Sequence, residues 1–270
     1  MSTLVCLHAH PDDEAIATGG AMARAKAEGH RVVLVVATSG DFGEVPHDLG
    51  EGETLADRRR TETDASAAAL GLDRVVWLGY RDSGMTGWEQ NADPMCFLQA
   101  SLHDAARAVA DILEEEAADV LTAYDWHGNY GHPDHIKVHE VGHAAADLVP
   151  NVRLFEATIN RDAVVAMMLR MQEAGVSSPG PGDDDEPFDP AGPADDGNPF
   201  GMPEAELTLH VDVSAYVGQK RAAIAAHNSQ ISDQSFFLAM PDEAFSAMFG
   251  SEWYIERGVE PPMQTGWFFN

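Results

Sequence analysis

Short apolar runs alternate with longer stretches of helix-forming residues from position 1 to about 160. Strands are predicted at 4–7, 31–37, 75–78, 120–124 and 152–158. Helices are predicted between them, at 15–28, 55–70, 98–116 and 135–147. The run at 32–36 is continuous and rich in β-branched residues, which is typical of a strand buried on both faces. The sequence therefore predicts an α/β fold: a Rossmann-like, mostly parallel sheet with helices on both faces.

The C-terminal part of the chain adds further strand and helix elements to this pattern. Residues 207–213 alternate as a strand does, and Ser214 is a candidate N-cap of a helix that runs to about His227. Between the two parts, residues 177–203 are rich in Pro and Gly and include an acidic run at 183–186. This composition predicts a mobile loop within a single domain that spans 1–270.

The charge of the chain narrows the classes of partner. Of its 270 residues, 45 are Asp or Glu and 16 are Lys or Arg, which gives a formal net charge of -29. A field of this sign repels nucleic-acid phosphates and anionic membrane surfaces, so neither is expected as a partner. It attracts cations, but it is also what adaptation to high salt or selection for solubility would produce.

Cysteine content and hydropathy bear on the compartment. Cys6 and Cys96 are too few for a disulfide framework. The N-terminal segment lacks the basic and long apolar regions of a signal peptide, and no run reaches the roughly 18 apolar residues of a transmembrane helix. A cytoplasmic location is therefore expected.

The aromatic residues near the C-terminus leave three uses open: closing the core, covering a pocket or forming the contact of a homo-oligomer.

Two clusters of polar side chains follow predicted strands. His10-Pro11-Asp12-Asp13-Glu14 comes after the strand at 4–7, and His132-Pro133-Asp134-His135 comes after the strand at 120–124. Because active sites gather at the carboxyl ends of strands in such sheets, the two clusters are expected to meet although they are far apart in sequence. Taken alone, the first is also compatible with a helix-capping acidic turn, and the second with a solvated loop.

The residue types of the two clusters suit a metal ion. Two imidazoles and one carboxylate form a three-ligand site that leaves a position for water and substrate, as in catalytic zinc sites. The same set of ligands suits non-haem ferrous iron. A second carboxylate beside the metal favours a hydrolase, because a hydrolase needs a general base, and Asp12 is the candidate.

Together and in this order, the two clusters resemble the signature of the LmbE-like (PIG-L) zinc-dependent de-N-acetylase superfamily. The loop Tyr80-Arg81-Asp82-Ser83-Gly84-Met85 resembles that of the mycothiol-pathway members, the deacetylase and the conjugate amidase. Arg59 with Glu62 in the helix at 55–70, and Lys220 with the segment 227–231, are also similar to elements of these proteins. The likeness is close over 1 to about 160 and looser over 205–255.

The resemblance implies a metal centre and a set of catalytic groups. The metal ligands would be His10, Asp13 and His135, with Zn²⁺ as the ion and Fe²⁺ as the alternative. Asp12 would be the general base for water. His132, protonated, would stabilise the tetrahedral oxyanion, and Tyr130 would polarise the scissile carbonyl. A basic Asp12 and an acidic His132 predict a bell-shaped pH profile.

The resemblance also implies residues around that centre. Arg59 and Asp82 would hold the sugar, and His227 would line the pocket. Asp134 would orient one of the neighbouring histidines, and Glu14 would support the ligands from behind.

The activity that the resemblance implies is removal of an N-acetyl or other N-acyl group from an amino sugar such as an N-acetylglucosaminyl compound. One alternative is an amidase that cleaves a larger amide, such as a thiol conjugate or an antibiotic-like glycoside. A non-haem iron oxygenase and a non-catalytic metal-binding module are the alternatives from other classes. The α/β pattern disfavours the oxygenase, and the presence of both Asp12 and His132 disfavours the binding module.

Overall fold

A computed structural model describes residues 1–173, 189–235 and 237–269. Its strands are β1 Thr3–His8, β2 Arg31–Thr38, β3 Arg74–Tyr80, β4 Val120–Tyr124, β5 Arg153–Thr158, β6 Leu209–Asp212, β7 Ser251–Glu256 and β8 Gln264–Thr265. Its helices are α1 Asp13–Ala17, α2 Gly19–Ala27, α3 Leu55–Leu70, α4 Leu102–Glu115, α5 Gly128–Gly131, α6 Pro133–Leu148, α7 Arg161–Glu173, α8 Val217–Ala226 and α9 Asp242–Phe249. No helix of the described segments is long and apolar enough to cross a membrane.

The sheet has the strand order β3-β2-β1-β4-β5-β7-β6-β8. The first five of these strands are parallel, whereas β7 runs antiparallel to both β5 and β6. The predicted α/β fold with a mostly parallel sheet is therefore confirmed. The chain order reverses between β1 and β4, which are direct neighbours, and a crevice forms at such a reversal. The first histidine cluster begins two residues after β1 and the second eight residues after β4, so both lie beyond the carboxyl ends of these strands.

Alternate residues of β1 face two different cores. Leu4 and Cys6 pack with α2 and α8 on one face of the sheet. Val5 and Leu7 pack with α4 and α6 on the other. All four are fully buried, as expected for a buried strand, and the two-sided burial predicted for the run at 32–36 is also found, since all five of its residues are fully buried.

The predicted helix over 15–28 is divided into α1 and α2. Thr18 leaves the helical region with φ -131, and its hydroxyl bonds the His8 ring at 2.8 Å instead of continuing the helix. Gly20 then lets α2 approach the C-terminal part of the chain, since a Cβ there would lie 2.5 Å from Val213. The prediction missed this break because its cause is a tertiary contact.

Other element boundaries also differ from the predictions. The helix predicted to begin at 98 begins at Leu102, with Ser101 as its N-cap, after a short 3₁₀ turn Phe97–Gln99. Ser214 does not cap α8; it begins a 3₁₀ turn, Ser214–Tyr216, that leads into the helix. The helices α7 and α9 and the strands β7 and β8 were not predicted.

The C-terminal aromatic residues mostly close the core. Tyr254 and Phe268 are fully buried and Trp267 is 5% exposed, and all three belong to the cluster beneath α2 and α8. Of the three uses left open by the sequence, these side chains serve the first.

A buried ion pair anchors β7 to α2. The Lys220 ammonium donates to Glu252 at 2.7 Å, and the same carboxylate accepts the backbone N–H groups of Gly20 and Ala21 at 2.8 and 2.9 Å. Both charged side chains are 2% exposed. The carboxylate of Glu252 therefore balances the charge of Lys220 and also the partial positive charge at the N-terminal end of α2.

Lys220→Met is expected to lower the free energy of unfolding by about 3–5 kcal/mol, because it leaves a buried carboxylate without its cation. Urea unfolding followed by circular dichroism measures this. The control is Lys26→Met, which breaks a partly exposed pair with Asp73 and is expected to cost about 1 kcal/mol or less. Equal losses in the two variants would contradict the assignment.

Candidate metal centre

Three candidate ligand atoms form a nearly equilateral triangle at the ends of β1 and β4. His10 Nδ1 lies 3.4 Å from Asp13 Oδ2 and 3.3 Å from His135 Nε2, and the remaining edge, from His135 Nε2 to Asp13 Oδ2, is 3.4 Å. Ligands at zinc bond lengths in a tetrahedral arrangement are about 3.3–3.4 Å apart. Spacing, chemistry and burial therefore fit a zinc-sized divalent ion.

The orientation of His135 follows from the way α6 begins. His132 occupies the N-cap position and Pro133 the first turn, where proline is favoured in a helix. This puts His135 in the same turn, where its Nδ1 donates to the carbonyl of Gly128 at 3.2 Å. Because Nδ1 carries the proton, Nε2 has a free lone pair for a metal ion.

Asp134 holds His10 from the side opposite the triangle. Its Oδ2 lies 3.2 Å from His10 Nε2, and it accepts hydrogen bonds from the backbone N–H of Ser83 at 2.9 Å and from the Ser83 hydroxyl. Asp134 is fully buried. Its contact with a neighbouring histidine is the one expected from the sequence, whereas Ser83 was not singled out as a supporting residue.

Asp82 lies beside the same histidine. Its Oδ1 is 3.6 Å from His10 Nε2 and it accepts the backbone N–H of Gly84 at 2.8 Å. Although burial opposes the charge, His10 and these hydrogen bonds lower the pKa of Asp82 below its usual range. Asp82 is thus an ionised, 5% exposed carboxylate at the rim of the triangle.

His132 completes the group of imidazoles but does not carry the predicted charge. A ring nitrogen of His132 lies within 4.8 Å of nitrogens of His10 and His135, so three imidazoles form an alternative ligand set. Burial and the two neighbouring histidines lower the pKa of His132 to about 2. The predicted protonated ring is therefore not what the structure supports. Its Nδ1 accepts the N–H of Asp134 at 3.1 Å, so the neutral ring has its proton on Nε2.

Asp12 has a strained backbone next to the triangle. Its φ is 100 and its ψ is -33, a region that a residue with a side chain rarely adopts and that costs about 1–3 kcal/mol. Burial raises the pKa of Asp12 to about 6, although Arg59 opposes this shift. A carboxylate with a pKa near neutrality is suited to general-base catalysis.

Arg59 contacts Asp12 rather than an open sugar pocket. Its guanidinium donates to Asp12 Oδ2 at 3.1 Å, to the carbonyl of Gly40 at 2.7 Å and to the carbonyl of Pro11. Gly40 has φ +63, and a Cβ there would lie 2.3 Å from the guanidinium. Arg59 is 4% exposed and holds Asp12 and the adjoining loops in place, which differs from the predicted role of holding the substrate.

His227 lies behind the site, not in the pocket. It is fully buried, and its Nε2 lies 2.7 Å from Glu14. Glu14 also accepts from the hydroxyl of Ser66 at 2.5 Å and from the N–H of Asp12 at 2.9 Å. The prediction that His227 lines the pocket is wrong because no surface of it is open to a substrate. Glu14 has the supporting position that was expected.

Tyr130 faces the centre from α5. Its ring centroid is 4.9 Å from that of His135 and 6.2 Å from that of His132. Burial, together with the charges of Asp13 and Asp12, raises the pKa of Tyr130 well above 10. Its hydroxyl therefore stays protonated and can donate a hydrogen bond.

Part of the predicted acidic loop packs against α5. Residues 177–188 lie outside the described segments, but 189–203 contact the site. The N–H of Asp195 donates to the carbonyl of Tyr130 at 2.9 Å, and the N–H of Gly201 donates to that of Asn129 at 2.6 Å. A Cβ on Gly131 would lie 2.4 Å from Asp196. The sequence predicted a mobile loop here because its composition does not show these contacts.

The chain is similar to known proteins in sequence and in fold. The family model PIG-L, described as GlcNAc-PI de-N-acetylase, matches residues 5–146. A 1D-myo-inositol 2-acetamido-2-deoxy-alpha-D-glucopyranoside deacetylase of Acidothermus cellulolyticus is 36% identical over 98% of this chain and 92% of its own length. The protein of the same name from Thermobifida fusca is 36% identical over 96% of this chain and 94% of its own.

Solved structures share the fold. N,N'-diacetylchitobiose deacetylase from Pyrococcus horikoshii aligns with a TM-score of 0.59 at 21% identity, over 96% of this chain and 87% of that one. GalB, the 4-carboxy-2-hydroxymuconate hydratase from Pseudomonas putida, aligns with a TM-score of 0.58 at 14% identity, over 98% of this chain and 100% of that one. Since a hydratase also has this fold, the fold alone does not select the reaction. The sequence matches do select the family: the chain belongs to the PIG-L family.

Proposed function

We propose that this protein is a metal-dependent amidohydrolase that removes the N-acetyl group from an N-acetylglucosaminyl compound. The observation that carries the proposal is the triangle of His10, Asp13 and His135 with the carboxylate of Asp12 beside it. The relatives that are 36% identical over nearly the whole chain are named for deacetylation of an N-acetylglucosaminyl inositol, so that compound is the first candidate substrate.

His10, Asp13 and His135 would hold the metal ion, and Zn²⁺ is the ion proposed, with Fe²⁺ as the alternative that the same ligands suit. When bound, the ion would supply Lewis-acid chemistry, which polarises a carbonyl and acidifies water. Asp12 accepts a proton from the attacking water and passes it to the amine nitrogen as the C–N bond breaks. The products are acetate and the free amino sugar.

The oxygen of the amide becomes negative during the attack, and two donors of this chain would stabilise it. His132 offers its Nε2–H as a neutral imidazole, and Tyr130 offers its phenolic hydroxyl. Donors fixed in a buried site are effective because they need no reorientation during the reaction, and loss of one costs about 10²–10³ in rate. Arg59 and Glu14 keep Asp12 in its strained conformation through its carboxylate and its N–H.

The pH dependence is expected to be one-sided. Only ionised Asp12 can accept a proton, so kcat/KM should fall as the pH drops through its pKa, which burial raises to about 6 and a bound cation would lower. No alkaline limb from His132 is expected, because its pKa is already lowered to about 2. This replaces the bell-shaped profile that the sequence suggested.

Arg59→Met tests the origin of the acid limb. Removing the guanidinium is expected to move the limb to higher pH by roughly one unit, because a neighbouring cation favours the carboxylate. If the acid limb of the pH profile did not move and KM rose, Arg59 would instead be a ligand of the substrate, as the resemblance implied. The control is Arg60→Met, whose guanidinium stacks on Trp77 away from Asp12.

A larger amide substrate is the second candidate, and exposed aromatic side chains near the site favour it. Trp126, at the end of β4, is 50% exposed and packs against His127. Trp88 is 47% exposed and packs against Gly84, two residues from Asp82. Such surfaces would suit an apolar acyl chain or aglycone.

Amine release from a panel of substrates decides between the candidates. The panel contains N-acetylglucosaminyl inositol, N-acetylglucosamine and a glucosamine with a long N-acyl chain, each tested with zinc-loaded, iron-loaded and chelator-treated protein. Chelator-sensitive release from the acetylated glycosides is expected, with the loaded forms ranking the two metals. Release only from the long-chain amide would favour the second candidate, and no release from a metal-loaded protein would contradict both.

The cellular location, the partners and the assembly of the enzyme are also part of the proposal. A net charge of -29 disfavours nucleic-acid or membrane partners. A small-molecule substrate is proposed from the names of the relatives, and a cytoplasmic location stays a prediction from the sequence. Assembly into a homo-oligomer stays a prediction from the sequence.

A further inference from the structure

A second group of metal-binding side chains lies farther along α6. His139 and His143 are four residues apart and therefore share a face of the helix, with ring centroids 4.3 Å apart. Glu156 of β5 lies beneath them, with Oε1 2.6 Å from His143 Nε2 and 3.5 Å from His139 Nδ1. One ligand atom from each of the three residues lies within 4.8 Å of the others.

The sequence of this turn has a spacing that suits zinc. In His139-Glu140-Val141-Gly142-His143, two histidines at i and i+4 can point to one ion, as in helical zinc sites. A carboxylate as third ligand, here Glu156, completes a common set. Glu140 is not part of the group: it is half exposed and pairs with Lys137 at 3.3 Å, so the catalytic arrangement of a metalloprotease is not formed.

His139 has the tautomer that a metal ligand needs. Its Nδ1 lies 3.1 Å from the carbonyl oxygen of Tyr124, and a carbonyl can only accept, so Nδ1 carries the proton and Nε2 has the free lone pair. The same Nδ1 is the nitrogen 3.5 Å from Glu156 Oε1, so an ion bound through Nε2 requires the Glu156 side chain to turn towards that nitrogen. His135 is fixed in the same way by the carbonyl of Gly128. A carbonyl partner of this kind is usual behind a histidine that binds a metal.

The group is also accessible. The side chains of His139, His143 and Glu156 are 21%, 28% and 12% exposed, so an ion can enter from solvent and keep water in its remaining positions. The negative charge of the chain raises the local concentration of cations. By contrast, His103 is 82% exposed and contacts its sequence neighbour Asp104 at 3.1 Å, which is the ordinary state of a surface histidine.

We propose that His139, His143 and Glu156 form a second divalent-metal site that takes Zn²⁺ or a similar ion such as Co²⁺. The ion would replace the hydrogen bond between His143 and Glu156, releasing the shared proton to solvent. It would cross-link α6 to β5, and α6 also carries His132 and His135. The site is independent of the proposed hydrolysis, because none of its residues belongs to the first triangle.

Cobalt titration tests the proposal with metal content and visible absorption as readouts. Wild-type protein is expected to bind two Co²⁺ per chain after desalting, with two separable sets of d–d bands. His143→Ala and Glu156→Gln should each lose one ion and its bands, and His135→Ala should lose the other. Glu156→Gln keeps the shape of the side chain, so its loss of metal would not be due to misfolding. His103→Ala is the matched control and should retain both ions.

The melting temperature adds a second readout. Excess Co²⁺ is expected to raise the melting temperature of His135→Ala, in which only the second site remains, and to leave that of His135→Ala/His143→Ala unchanged. A wild-type protein that binds one ion, lost in His135→Ala, would overturn the proposal. So would a second ion that survives in both His143→Ala and Glu156→Gln.

Discussion

Asp12→Asn is expected to lower kcat/KM by about 10²–10⁴ while the metal content stays as in the wild type. The amide has nearly the shape of the carboxylate and can still contact Arg59, but it cannot accept a proton from water. The metal content is unaffected because Asp12 is not part of the triangle formed by His10, Asp13 and His135. The variant therefore distinguishes the loss of the proposed general base from the loss of a metal ligand.

Deacetylation kinetics and metal analysis on the same preparation measure this result. The control is Asp111→Asn on α4, an exposed carboxylate paired with Arg107, and it should behave as the wild type. If Asp12→Asn retained more than a tenth of the activity, another group would have to be the base. If it lost its metal, Asp12 would be a ligand instead.

The position of the site could be predicted from the sequence because it depends on local features. His10 lies two residues after the apolar strand β1 and His132 eight residues after the apolar strand β4, and neighbouring parallel strands end at the same edge of the sheet. The sequence does not show that β1 and β4 are neighbours, but the order of strands and helices in an open α/β sheet makes convergence of the two clusters the expected result.

The partners of individual side chains were harder to predict, because they come from distant parts of the chain. Arg59 and His227 were both assigned to the substrate because the family resemblance implied it. In the structure, Arg59 contacts a loop 47 residues away and His227 a carboxylate 213 residues away. Sequence spacing carries no information on such contacts, so a residue that supports the base cannot be distinguished from one that touches the substrate.

The charge of His132 shows a related limit. Protonation was inferred from its role in the family, but the charge of a histidine depends on burial and on neighbouring charges. Burial and neighbouring charge both lower the pKa of His132, since this ring is 6% exposed and contacts two other imidazoles, those of His10 and His135. Likewise β7 was not predicted, because its Glu252 suggests an exposed segment until the buried partner Lys220 is known.

His135→Ala is expected to abolish tight metal binding at the first triangle and, with it, the deacetylase activity. His135 provides one of three ligands, so the loss should exceed the roughly 10–100-fold loss of affinity that follows removal of a supporting hydrogen bond. Titration with Zn²⁺ in a His143→Ala background, where the proposed second site is removed, measures the effect at this site alone.

His132→Ala in the same background is the matched comparison, because it decides which three residues are the ligands. If the ligands are His10, Asp13 and His135, His132→Ala should keep its zinc and lose about 10²–10³ in kcat, since it lacks one donor to the oxyanion. If the three imidazoles are the ligands, both variants should lose zinc equally and Asp13→Asn should keep it. The 3.3–3.4 Å edges of the triangle that includes Asp13 favour the first outcome, since they match tetrahedral spacing.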